Sequence, residues 1–200
     1  MKFNKTIKVL ISTNVLLNTA SGFISPVFAI FIVDSIAGGS PKLAGTAVAV
    51  YWLVKSIVRL PVAYYLDKKA GEYDDYYAMM IGLVVYSLAH FLYVFASTPM
   101  HIYGIQLISG IGGAFAFTAW YGFFARHIDR NHESFEWSVD VSLVGFGVAF
   151  AGYISGIGAE TFGYNPLFIA SGIVSLSGIF MLLLIKRDVI PLKQKTNIEN

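Results

Sequence analysis

The chain has 200 residues, 56% hydrophobic and 16% aromatic, and its 14 basic and 12 acidic residues leave a net charge of +2. Soluble domains are about 45–50% apolar and about 25% charged, so 13% charged is too little to coat a water-facing surface, and disorder, collagen and coiled coil fail on the same arithmetic. Near neutrality leaves no basic face for nucleic acid, and the lack of cysteine removes disulfide frameworks, thiol catalysis and cysteine-held metal.

What remains is an integral membrane protein, all-α, with six transmembrane helices. The apolar stretches are Val9–Val33, Leu43–Leu66, Tyr76–Ala96, Ile102–Ala125, Val141–Ala159 and Leu167–Ile185. At about 1.5 Å of rise per residue each can cross a hydrocarbon layer of roughly 30 Å. The joints between them are short and polar, and none could hold a second domain. A basic N-terminus (1–8) and a polar tail (186–200) flank the six-helix region (9–185). Six crossings put both termini on one side, with eleven Lys and Arg residues there against Lys42 alone opposite. The positive-inside rule then predicts both termini in the cytoplasm and a multi-pass protein of the plasma membrane. The first stretch is longer than the h-region of a signal peptide, about 7–15 residues, and is read as a retained span. The sequon Asn4-Lys5-Thr6 would face the cytoplasm unused.

In that first span Asn14, Asn18, Ser21 and Ser25 are spaced 4, 3, 4 and share one helical face. Lipid cannot satisfy two amides, so this face is expected to look inward, onto a cavity or a partner helix. In the second span Lys55 follows Leu43 by twelve residues, about 18 Å along a helix. A lysine that deep requires a wet cavity or a counter-charge. Arg59, one turn on, can snorkel to the interface, and Tyr51 lies one turn before. His90 in the third span is read as a hydrogen-bonded structural histidine. The fourth span carries Gln106, Gly110 and Gly113 on a face that continues through Phe117 to Trp120 and Tyr121. The fifth carries Gly145, Ala149, Gly152 and Gly156, small residues that let backbones approach. Asp34, Asp67, Asp140 and Glu160 all stand near expected span ends, so the reading places no carboxylate in mid-span.

No enzyme is expected. The fourth and fifth spans offer Ser109-Gly110 and Ser155-Gly156 without the leading Gly of an intramembrane serine protease, and the sixth has no histidine. His127 and His132 are five apart, which is not the His-Glu-x-x-His zinc pattern. Glycine-rich Ser109-Gly110-Ile111-Gly112-Gly113 lies within an apolar span and is no phosphate loop. Neither a metal nor a cofactor is called for.

The end of the second span, Ala63-Tyr64-Tyr65-Leu66-Asp67-Lys68-Lys69-Ala70-Gly71, resembles the loop after span two in the major facilitator superfamily. That pattern is Gly-x-x-x-Asp-Arg/Lys-x-Gly-Arg/Lys-Arg/Lys. Asp67 and Lys68 match; Ala63 replaces the first Gly, Gly71 comes one residue late, and Asp74 and Asp75 stand where bases are usual. The Ile108–Gly112 run, Gly145-Phe146-Gly147 through Gly152, and Glu160-Thr161-Phe162-Gly163-Tyr164 before Phe168 are similar to the family's later joints. Gln106 stands near a position where many members carry arginine.

Members usually have twelve spans in two six-span halves related by an axis along the membrane normal. The resemblance therefore implies one half. The chain opens on Met and closes on a polar tail, so the expectation is a complete six-span chain. Such a chain would pair with itself as a parallel homodimer, or with another six-span half, in the lipid bilayer. It implies a transporter of a small-molecule solute by alternating access, with Asn14, Asn18, Ser21, Ser25, Lys55, Gln106, Trp120 and Tyr121 at the substrate cavity. Asp67, Lys68 and Gly71 would form the conformational-switch motif, with Asp67 meeting the partner's fifth span near Trp137 to Val141. The alternative is a non-transporting membrane module, a sensor or an accessory subunit.

Overall fold

The computed structural model describes residues 3–68, 72–186 and 189. Over these the chain forms α1 (Lys5–Ile24), α2 (Phe28–Ser35), α3 (Pro41–Lys68), α4 (Glu72–Leu92), a 3-10 turn at Tyr93–Phe95, α5 (Pro99–His127), α6 (Glu133–Phe162) and α7 (Asn165–Leu183). No strand occurs among the described residues. With α1 and α2 counted as one broken span, six helical segments are long and apolar enough to cross a membrane.

Local chemistry sets the boundaries. The Asn4 side chain accepts from the Ile7 amide at 2.7 Å and caps α1. Pro99 stands in the first turn of α5 behind Thr98, where its missing N–H removes nothing. Gly163, at φ 77°, ends α6 in a conformation that a side chain would strain. The first span breaks at Pro26, which has no N–H to give to the Gly22 carbonyl. Val27 then bonds Ile24 at 3.1 Å rather than continuing the α ladder, so the Phe23 carbonyl is released as well. Ser155 of α6 donates to that carbonyl at 2.6 Å.

The largest departure from the sequence reading is α6, which starts at Glu133 and not at Val141. Charged residues end an apolar stretch but need not end a helix. Carboxylates in a first turn favour it, because the unpaired N–H groups and the dipole end are positive. Asp140 therefore lies well inside α6, only 2% exposed. The expectation that it marks a span end is corrected.

Helix α1 rests on α6 and α7, α5 rests on α3 and α4, and α4 meets α7 to join the two groups. Small residues set the crossings. A Cβ built on Gly112 would lie 2.9 Å from the Tyr86 Cα, and one on Gly22 would lie 3.1 Å from the Val148 Cα. Two apolar clusters result. One joins Ile7, Leu10, Leu17, Tyr76, Leu83, Trp120 and Phe123. The other joins Phe28, Phe31, Ile32, Leu43, Tyr93, Ile102 and Phe168. The first end is tied by Asn4 Nδ2 donating to the His127 carbonyl at 2.9 Å and by the Arg126–Asp75 ion pair. The second is tied by Tyr164 donating to Asp34 at 2.8 Å. Helices α3 and α6 are the least buried spans; their outer faces expose Leu53, Ile57 and Leu60, and Phe146, Phe150 and Tyr153.

Candidate functional site

In each contributing span a polar segment falls between the residues of the two clusters, and there the bundle holds a cavity of about 320 Å³. Helix α1 contributes Asn18 and Ser21, and the break after it contributes Ser25. Tyr51, Trp52 and Lys55 come from α3, Tyr86 and His90 from α4, and Gln106, Ser109 and Phe117 from α5. The helical repeat explains the set: 51 and 55, 86 and 90, and 106, 109 and 117 each return to one face of their helix.

Lys55 is 7% exposed. Its ammonium donates to the Tyr51 hydroxyl at 3.0 Å and lies 4.1 Å from the Phe117 ring centroid and 5.0 Å from that of Trp52. Among the described residues it forms no pair with a carboxylate. Ser21 and Tyr86 share a hydrogen bond of 2.7 Å at the cavity wall. Ser171 behind His90 donates to the Ala20 carbonyl at 2.6 Å, so its hydroxyl proton is committed. The 2.9 Å contact between Ser171 Oγ and His90 Nδ1 therefore has the imidazole as donor, leaving Nε2 bare as an acceptor.

Five of the eight residues predicted for the cavity, Asn18, Ser21, Ser25, Lys55 and Gln106, line this one space. Asn14 does not. It is buried beneath Asn18 and donates to Asp140 Oδ2 at 2.8 Å. Trp120 turns toward α1, its indole N–H on the Leu10 carbonyl at 2.9 Å and its ring stacked on Phe124. Tyr121 stands on the outside with the Arg59 guanidinium 5.4 Å over its ring. Trp120 keeps the direction of the cavity-lining α5 residues but lies further along the helix than Phe117, within the apolar cluster where α1 covers that face.

The sequence reading left Trp52, Tyr86 and Ser109 off the site. Tyr86 and His90, spaced i and i+4, were its recoverable signal; aromatic Trp52 is indistinguishable in sequence from a lipid-facing ring.

Asp67 and Lys68 close α3 exposed, with the Lys68 ammonium 4.3 Å from the Tyr64 ring centroid. Gly71 lies outside the described residues. Within the stripe Gly145, Ala149, Gly152 and Gly156, Gly152 faces the break after α1, a Cβ there lying 3.5 Å from Pro26 Cγ, but the tighter approach of α6 to α1 is on another face. Nothing lies within 4 Å of a Cβ built on Gly145 or Gly156, whereas Gly147 meets Thr19 and Ala151 meets Gly22.

The Major Facilitator Superfamily family model matches residues 10–200. The chain belongs to the major facilitator superfamily. As a superfamily member it is a multi-pass membrane protein whose six spans correspond to half of the family's bundle. It is 25% identical over 142 residues to an uncharacterized MFS-type transporter of Mycobacterium tuberculosis, found in two strains, covering 70% of this chain. It is similar in fold to the POT family transporter PepTSo, with a TM-score of 0.70 at 15% identity over 94% of this chain. The chain spans about a third of the length of the curated relatives, 34%, and 38% of PepTSo.

Proposed function

We propose that this superfamily member moves a small solute across the plasma membrane by alternating access, working as a parallel homodimer with both termini in the cytoplasm. The observation that carries the reading is the cavity itself: at mid-bundle, lined by polar and aromatic side chains, and holding a lysine that no carboxylate among the described residues neutralises. A fold held together by apolar burial does not need such a space, and an intramembrane charge without a partner points to a solute path. Asn18, Ser21, Ser25, Lys55 and Gln106 would meet the solute, while Asn14 acts behind them by holding Asn18.

A second six-span unit would complete the enclosure. The open stripe at Gly145 and Gly156 and the exposed apolar faces of α3 and α6 suit a second copy related by a two-fold axis along the membrane normal. Asp67 would then approach the start of the partner's α6, where unpaired N–H groups favour a carboxylate. The termini are assigned to the cytoplasm by the Lys and Arg asymmetry.

A pair of cysteines introduced at Asp67 and Ser138 tests the assembly, both positions being exposed on a cysteine-free chain. An intermolecular crosslink whose yield changes on adding a transported solute supports the model. Stable monomers, together with no flux of any solute in proteoliposomes, would make the chain a non-transporting module.

A further inference from the structure

Resting on the reading of the cavity as the solute site, we infer that its ligand is a small organic anion, a monocarboxylate with a compact apolar or aromatic body, anchored on the Lys55 ammonium. Three observations converge. The buried carboxylates among the described residues are engaged elsewhere: Asp75 with Arg126, Asp140 with Asn14, and Glu136 with the Asp129 amide. Lys55 thus has no internal counter-charge, and its ammonium, with three donors, uses one on Tyr51.

The second observation is independent of the charge. Ser109 is 3% exposed, lines the same cavity, and its hydroxyl has no hydrogen-bond partner. A buried hydroxyl left unpaired is rare, and this one belongs to a residue of the cavity lining, so a bound carboxylate would supply the acceptor it lacks. The third is the apolar wall. Phe117 and Trp52 flank the ammonium at 4.1 and 5.0 Å, leaving aromatic surface beside the charge. About 320 Å³ suits a molecule well below drug size. A neutral sugar would leave the lysine uncompensated, and a cation would be repelled by Lys55 and by Arg59 one turn away.

The test is binding to the purified full chain in detergent, using benzoate, propionate and lactate, each against its own neutral amide. Each acid should bind at least tenfold more tightly than its amide. Lys55→Met should erase that preference while the protein remains monodisperse and helical, and Lys55→Arg should retain most of it. Ser109→Ala should weaken the acids severalfold and leave the amides unchanged. Equal binding of acid and amide, no saturable binding of any acid, or a preference surviving in Lys55→Met would each overturn the inference. Flux of a neutral solute indifferent to Lys55 would overturn it too while keeping the transport reading. Acid binding that depends on Lys55, with no flux in proteoliposomes, would sustain the site and defeat transport.

Discussion

Asn14 and Asp140, 126 residues apart in the chain, meet between α1 and α6 through a 2.8 Å hydrogen bond with both side chains buried. The amide is held for this contact: Asn18 Nδ2 donates to both Asn14 Oδ1 and the Asn14 carbonyl, each at 2.8 Å. The second Asp140 oxygen, Oδ1, has no partner among the described residues, so within them Asn14 supplies the one side-chain donor to Asp140.

Asn14→Ala should therefore lower stability by about 2–3 kcal/mol, since it strands a buried carboxyl. Asp140→Asn should be milder, because a neutral amide loses less on leaving water. Thermal unfolding in detergent separates the two. Equal losses would mean that the bond orients neither partner.

The Arg126–Asp75 pair is unequal in another way: the Arg126 side chain is 43% exposed and the Asp75 side chain 4%. Removing the arginine leaves a buried carboxylate alone, whereas removing the acid frees a guanidinium that water can reach. Arg126→Gln should destabilise by about 3 kcal/mol and Asp75→Asn by roughly 1 kcal/mol. The ranking, read from unfolding midpoints, is the informative result; a reversal would place the weight of the interaction on the arginine side.

At the α4–α5 crossing a methyl on Gly112 would press on the Tyr86 Cα at 2.9 Å and on the Gly82 carbonyl at 3.0 Å. Backbone cannot yield as a flexible side chain can. Gly112→Ala should destabilise by about 1–3 kcal/mol through overpacking. Gly104→Ala, on the same helix but with open space where the Cβ would go, should be neutral or slightly stabilising, because alanine is the better helix former. Similar effects at both sites would show that helix propensity, not the crossing, decides.

Hydropathy and spacing made most of the architecture legible, because water-free surroundings demand long apolar helices and leave few other solutions. The Asn18–Ser21–Ser25 face and Lys55 were legible for the same reason: a polar group in lipid stands out. Asp140 was misread because hydropathy stops where charge begins, and only the partner across the helix pair, Asn14, shows that the charge is accommodated. Trp120 was misplaced because its indole N–H finds a backbone carbonyl on α1, a contact with no sequence signature. The stripe at Gly145 and Gly156 reads like a packing seam, yet the seam that α6 uses is at Gly147, Ala151 and Ser155. Spacing alone cannot say which of two small-residue faces meets the molecule's own helices.

The two apolar clusters and the polar segment between them have a consequence for how the molecule breathes. Opening free energy tracks local apolar burial, so regions of separate burial tend to open as separate units. Amide exchange should be slowest in α1 around Leu10 and Leu17 and in α5 around Ile102 and Ile105, and faster at the waist near Ser25–Val27. There the ladder is interrupted at Pro26 and one freed carbonyl hangs on the Ser155 hydroxyl. Exchange at either end should then rise on mild destabilisation while the other end stays protected.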